Sequence, residues 1–408
     1  MQEKKNLINR RSLLKSLGVA GLGSVMAKAE DIAPIVKEQQ EDKKNENPQV
    51  PRRVLGKTGE SVSTLALGTM FNVIENQIML RKCLQWGVNY WDTANGYSGG
   101  NSEIGIGLFF KKNPEKRKDV FLVTKASGAN NAEEVESKLQ ESLKRLNTDH
   151  IDLYYGVHVL DDISQMTDEL IKWSESAKKR KLIKYFGFST HKNMADNLMA
   201  ASKMQGIDAI LSTYNYRLTK DQAMQDAIQA CYDAGIGITA MKTQGLKIES
   251  NEDKKLAEHF LTKGFTEGQA KIKLVLEDKR IASACVGRGN LSHLIQNIAA
   301  VLDKTELAKE DFDFFEQYAQ ETCNGYCTAC GHICDGVLSN SPYTSEILRY
   351  MMYYNSYGEP DYAKELFAKI PAQVRNNLLN IDYSLAEKLC PQKLPIAKII
   401  SQAVEKLA

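Results

Sequence analysis

Val120-Phe121-Leu122-Val123-Thr124-Lys125, then the helical-period segment Ala132–Leu146, then Ile151-Asp152-Leu153-Tyr154-Tyr155 is the stretch on which the fold turns. Two short apolar runs rich in β-branched and aromatic residues flank one amphipathic segment. A strand–helix–strand unit of this kind pairs its strands in parallel through a right-handed crossover. The unit repeats outward in both directions. Upstream lie apolar runs at Thr64–Leu67 and Asn89–Trp91. Downstream lie Ile183–Phe188, Ala209–Ser212, Ile236–Ala240 and Ile281–Val286, with helical segments Asp168–Lys181, Asp221–Ala234 and Thr266–Leu276 between them. Eight strands separated by helices over roughly 250 residues predict a (β/α)8 barrel of the TIM type. The doubly wound open sheet is the rival, but no G-x-G-x-x-G follows the first strand. Arg53 to Val62, with Gly56-Lys57-Thr58-Gly59 at its centre, predicts an N-terminal β-hairpin ahead of the barrel.

The flanks differ in composition. Lys4 and Lys5, Asn9-Arg10-Arg11-Ser12-Leu13-Leu14-Lys15, the apolar Ser16–Met26 and Ala27-Lys28-Ala29 follow the order of a bacterial secretory signal. The Arg-Arg pair resembles a twin-arginine address, read by the machinery that exports folded proteins. The expectation is a signal peptide over 1–29, cleaved near Ala29, and a solvated linker over 30–51. A periplasmic protein with no membrane insertion after processing follows from it. Lys+Arg 53 against Asp+Glu 51 gives a net charge of +2, which supplies no footprint for nucleic acid.

In such a barrel the chemistry sits where the strands end at their C-termini. Those ends carry Asp92, Tyr97, Lys125 and His158 on adjoining strands. A tyrosine hydroxyl is a weak acid near neutrality, and a neighbouring ammonium is expected to favour its phenolate. A carboxylate fixes the lysine, and an imidazole orients a carbonyl oxygen. The quartet suits protonation of the oxyanion that forms when hydride reaches a carbonyl carbon.

The stretches Arg53-Val54-Leu55-Gly56-Lys57-Thr58-Gly59, Leu67-Gly68-Thr69-Met70, Asp92-Thr93-Ala94-Asn95-Gly96-Tyr97, Val123-Thr124-Lys125, Asp149-His150-Ile151-Asp152-Leu153-Tyr154 with His158, and Gly187-Phe188-Ser189 resemble the aldo-keto reductases over roughly residues 52 to 302. The resemblance implies an enzyme, an NAD(P)-dependent aldo-keto reductase acting on a small carbonyl or alcohol, sugars among them. It implies Tyr97 as general acid, tuned by Lys125 and Asp92, with His158 orienting the carbonyl. It further implies a nicotinamide site at Thr69, Met70, Ser189, Thr190, Met241 and Lys242, and a phosphate site at Gly287, Arg288, Gly289, Asn290 and Asn297. Gly287 and His293 stand where NADP-preferring members carry lysine and arginine, so NADP and NAD both remain open. The other reading keeps the barrel as a non-catalytic or electron-transfer protein that binds nucleotide and uses its C-terminal segment for a partner.

Residues 304–408 form a second expected domain, small and mostly helical. Cys323, Cys327, Cys330 and Cys334, followed by Cys390-Pro391, resemble a two-cluster bacterial ferredoxin, and an iron–sulfur branch of the aldo-keto reductases carries such an extension. Asp335 replaces the proline after Cys334, and Asn380, Tyr383 and Ala386 replace the cysteines of the second half. The resemblance then implies at most one [4Fe–4S] cluster, on Cys323, Cys327, Cys330 and Cys390, with Cys334 spare. Structural zinc, or free thiols and a Cys323–Cys334-type disulfide, stay open beside it. Cys83, Cys231 and Cys285 are expected to be small buried hydrophobes.

Overall fold

The computed structural model describes residues 47–245, 251–287, 289–322, 326–338, 343–357 and 359–408. The expected signal peptide, most of the linker, Arg288 and Cys323 lie outside the described residues. A hairpin, β1 (Arg52–Val54) and β2 (Ser61–Ser63), comes first and pairs antiparallel. Eight parallel strands then close on themselves: β3 (Leu65–Gly68), β4 (Tyr90–Asp92), β5 (Phe121–Ser127), β6 (Ile151–His158), β7 (Ile183–Thr190), β8 (Ala209–Thr213), β9 (Gly237–Met241) and β10 (Ile281–Val286). The ring closes where β10 pairs with β3, Ala284 opposite Leu65 and Val286 opposite Leu67. The TIM-type barrel read from the alternation is the fold.

The strands are buried on both faces, which is why their sequences read as continuous apolar runs rather than alternating ones. Tyr90, Phe121, Val123, Leu153, Tyr155, Ala209 and Leu211 fill the interior. Leu67, Trp91, Leu122, Tyr154, Phe186 and Ile210 pack outward under the helices. Helix Ala132–Leu146 has the predicted bounds because both ends are capped. Asn131 accepts the Glu134 N–H at its start, and Asn147 adopts a left-handed φ of 50° at its end.

The hairpin closes the N-terminal end of the barrel. Its turn reaches the start of β9, where Lys57 N donates to Gly235 O at 2.6 Å. A Cβ on Gly56 would stand 2.4 Å from Gly235 O, so only glycine permits this approach. Chemistry is left to the opposite end, where β5 and β6 run further than expected. β6 carries an extra residue after Tyr155 relative to both neighbours, opposite Lys125–Ser127 of β5 and Gly187–Phe188 of β7, and His158 lies in the strand itself.

Beyond the barrel, helix Lys309–Glu321 packs Phe315 and Tyr318 against Tyr216, Phe260 and Phe265. A separate core follows, built by helices Thr344–Met352, Pro360–Ala368, Ser384–Leu389 and Ile396–Leu407 around Ile347, Phe367, Ile400 and Leu407. Among the described residues this region is helical, as expected. It grips the end of β7. Lys192 pairs with Glu346, Arg349 Nη1 lies 2.7 Å from His191 Nδ1, and Asn193 N donates to Ala329 O at 3.0 Å.

Candidate active site

Parallel register sets Gly68, Asp92 and Val123 side by side at the ends of β3, β4 and β5. Lys125, two residues further along β5, is fully buried. Its Nζ donates to Asp92 Oδ1 at 2.6 Å, to Thr93 O at 2.7 Å and to Tyr97 Oη at 3.3 Å. Tyr97 follows β4 on a single helical turn and stands edge-on to His158, with ring centroids 5.9 Å apart. His158 Nδ1 lies 2.6 Å from Ser189 Oγ, whose residue pairs with it across β6 and β7. The four residues singled out at the strand ends therefore converge, and Ser189 joins them.

The electrostatics depart from one expectation. Burial, then the Asp92 charge, holds the Tyr97 hydroxyl well above the ordinary phenol range. The Lys125 charge does not reverse this, because Asp92 sits closer to it than Tyr97 does. Tyr97 at rest is a phenol with its proton in place. Burial also raises the Asp92 carboxyl, opposed by Lys125. His158 is held well below the ordinary imidazole value by burial and by Lys125, so it is neutral at physiological pH.

A cleft of about 470 Å³ opens beside Tyr97 and Asp92. Thr69, Met70, Met241, Lys242, Gly287 and Asn297, all expected at a cofactor site, line it. Thr190 does not line it: Oγ1 lies 2.8 Å from both Leu160 O and Lys192 O and shapes the loop after β7. Asn290 caps helix Leu291–Leu302 by accepting the Ser292 N–H at 2.8 Å, and Gly289 packs near Phe71.

Several wall residues escaped the sequence reading. Cys285 packs half-buried against the barrel core, as expected, and also lines the cleft on β10. Gln244, Lys271, Tyr353 and Tyr357 line it as well. The first two sit in loops and helix starts with no motif, and the tyrosines belong to the second core, which nothing in the sequence aims at the barrel.

The cleft suits a phosphate-bearing dinucleotide. Thr243 Oγ1 and His293 Nδ1 are buried on its walls with no hydrogen-bond partner among the described residues. Helices Glu267–Glu277 and Leu291–Leu302 start beside the cleft, capped by Thr266 and Asn290, and their N-terminal ends favour negative charge. Gly287 lies so close that a Cβ would meet Gly68 O at 2.0 Å, which keeps the wall open backbone.

In the second core, Cys327, Cys330, Cys334 and Cys390 line one small apolar cavity with Ile333, Leu348 and Ile396. All four are free thiols. Burial pushes Cys327 up to about 12. Among the described residues no group of three or more side chains is arranged to hold a metal ion.

A closed parallel barrel with a buried lysine linking carboxylate and phenol beside an open cleft at its C-terminal rim is the scaffold of a reductase-type enzyme. The chain belongs to the Aldo/keto reductase family of oxidoreductases, whose sequence pattern it matches over residues 64–319. It is 28% identical over 322 residues to the uncharacterized oxidoreductase YrpG of Bacillus subtilis, covering 67% of this chain and 98% of that protein. L-galactose dehydrogenase of Arabidopsis thaliana is 24% identical over 288 residues, 63% of this chain and 90% of the plant enzyme. The holo form of the aldo-keto reductase AKR11C1 from Bacillus halodurans superposes with a TM-score of 0.55 at 22% identity, over 66% of this chain and 96% of its own, a likeness of fold.

Proposed function

We propose that this protein is an exported nicotinamide-dependent oxidoreductase that interconverts a carbonyl and an alcohol. The observation that carries the reading is Lys125 Nζ lying between Asp92, at 2.6 Å, and Tyr97, at 3.3 Å, beside the cleft. NADH or NADPH supplies the hydride when bound. Tyr97 holds the proton that the carbonyl oxygen takes up as the carbon gains that hydride. Charge then appears on Tyr97 Oη, within hydrogen-bond reach of the Lys125 amine. Oxidation of an alcohol runs the same proton backwards. Neutral His158, with Nδ1 engaged by Ser189, is left Nε2 to orient the substrate oxygen. The similarity to L-galactose dehydrogenase of Arabidopsis thaliana supports a sugar as the substrate.

Two further parts complete the reading. Arg10-Arg11 with the apolar Ser16–Met26 and Ala27-Lys28-Ala29 directs the folded protein to the periplasm through the twin-arginine machinery. Cys323, Cys327, Cys330 and Cys390 carry the donor chemistry of one [4Fe–4S] cluster by their resemblance to a ferredoxin, although among the described residues no group of three or more side chains is arranged to hold a metal ion. Iron and labile-sulfide analysis of anaerobically purified protein tests the cluster, and cell fractionation tests export. For the activity, Tyr97→Phe loses about 10²- to 10⁴-fold in kcat, the contribution of a positioned general acid. Binding of NADH or NADPH, followed by fluorescence, stays intact in that variant. Full turnover by Tyr97→Phe overturns the assignment.

A further inference from the structure

The turn that carries Tyr97 is strained. Ser98, Gly99 and Gly100 follow it with φ of 50°, 63° and 93°, left-handed residues in succession. Ser98 is the costly one, since its Cβ crowds the backbone in that region. Such a run persists only where the surrounding structure fixes it.

Two cations do so, one from each layer of the barrel. From the interior, Lys125 Nζ donates to Thr93 O at 2.7 Å. From the helical layer, Arg145 on helix Ala132–Leu146 donates through Nη1 to Asn95 O at 2.9 Å. Two carbonyls of one loop, two residues apart, are thus pinned from opposite sides. The Arg145 guanidinium also backs Gly100, where a Cβ would come within 2.8 Å of its Cζ. Asn95 is held a second time, its Oδ1 accepting the Ser127 N–H at 2.9 Å.

The guanidinium is itself anchored. Glu103, on helix Asn101–Lys112, is fully buried, and its Oε2 lies 3.6 Å from Arg145 Nη1. A buried carboxylate requires a cation beside it, and that requirement keeps Arg145 in place. Glu141 adds a tie along the same helix, 2.7 Å from Arg145 Nη2. The other oxygen of Glu103, Oε1, accepts the Thr124 hydroxyl at 2.6 Å. Thr124 precedes Lys125 on β5 and, by the alternation of a strand, faces the opposite way. One chain of contacts therefore runs from the back of β5 through Glu103 and Arg145 to the loop bearing Tyr97.

We infer that Arg145, seated by Glu103, is a positioning residue for Tyr97, fixing the turn so that Tyr97 Oη stays 3.3 Å from Lys125 Nζ. Arg145 does not line the cleft and acts only through the loop. The inference rests on the oxidoreductase reading above. It assigns part of the rate to a side chain of the outer helical layer.

Reduction of DL-glyceraldehyde by NADH or NADPH, and oxidation of L-galactose by NAD or NADP, test it in the full-length protein. Arg145→Met lowers kcat by roughly 10- to 100-fold, the scale of a displaced reacting group, and leaves the nucleotide KM unchanged. In a Tyr97→Phe background the same change has no further effect on kcat, because Arg145 acts through the Tyr97 hydroxyl. Arg180→Met is the control: it breaks the 2.6 Å pair that Glu136 of the same helix makes, and kcat does not change. Arg145→Lys, which keeps the charge but not the fork, falls between wild type and Arg145→Met, and takes its place if that variant does not fold. A crystal structure of the variant shows Tyr97 Oη beyond hydrogen-bond reach of Lys125. Wild-type kcat in the Arg145 variants, or an equal loss with and without the Tyr97 hydroxyl, overturns the positioning role. Wild-type protein that turns over neither probe overturns the oxidoreductase reading; the crystal structure then still decides the positioning role, which an unmoved Tyr97 overturns.

Discussion

Lys125 Nζ is 2.6 Å from Asp92 Oδ1, both side chains being almost wholly removed from solvent. Removing one member of a buried ion pair strands the other, at a cost of about 3–5 kcal/mol. Lys125→Met should therefore lower stability to urea by that amount while also abolishing turnover. Asp92→Asn, which keeps the shape and a hydrogen-bond acceptor, should cost less. Equal stability of Lys125→Met and the wild type would show that the pair is not closed in solution.

Acid should destabilise the fold through two imidazoles. His158 and His191 both have folded-state values well below 6.5, so the unfolded chain binds more protons than the native one as pH falls below that value. Their favourable contribution is fully present above pH 6.5 and is lost as pH drops from there toward the depressed folded values. Urea midpoints measured between pH 7.5 and pH 5, about either side of the ordinary imidazole range, should fall, and His191→Gln should flatten the slope.

Gly287 offers a geometric test. A methyl group there would stand 2.0 Å from Gly68 O, where the ends of β10 and β3 meet. Backbone must move to admit it. Gly287→Ala should weaken nucleotide binding by at least about tenfold, equivalent to 1.4 kcal/mol, with a smaller change in thermal midpoint. Fluorescence titration with NADH and NADPH separates the two.

The grip of the C-terminal helices on β7 has its own signature. Glu346 is 9% exposed and pairs with Lys192. Lys192→Met leaves that carboxylate buried without its cation, and an unpaired buried group costs about 1–3 kcal/mol or more. Limited proteolysis should then proceed faster within the C-terminal helices, whereas the double change Lys192→Met with Glu346→Gln should restore part of the resistance.

Strand positions were legible because burial on both faces writes them as short apolar runs, and the Asp92, Tyr97, Lys125 and His158 quartet was legible because barrel topology brings distant strand ends together. Ile281–Val286 and Ala132–Leu146 have the predicted bounds. The ends of β5 and β6 were missed because a register shift leaves no local signature: Gly156, against which the Phe186 ring packs, reads in sequence as an ordinary glycine. Cys285 was read only in part. A cysteine on a strand looks like core from its neighbours, and only the closure of β10 onto β3 sets it on the cleft wall as well. Tyr353 and Tyr357 were invisible as cleft residues, since docking of one core onto another depends on shape that periodicity does not encode.

Ser189 to Asn193 is one unbroken run in which Ser189 holds the His158 imidazole, Thr190 ties the loop, and His191, Lys192 and Asn193 each seize the C-terminal helices. The strand ends at Thr190, and residues 191–193 follow as a bent segment in which Asn193 takes a left-handed φ of 47°. Adding or removing one residue here would displace the contacts of His191, Lys192 and Asn193 together. Individual residues in the run can be exchanged at a finite loss, but its length cannot, so this segment should act as a ruler that keeps barrel and appendage in step.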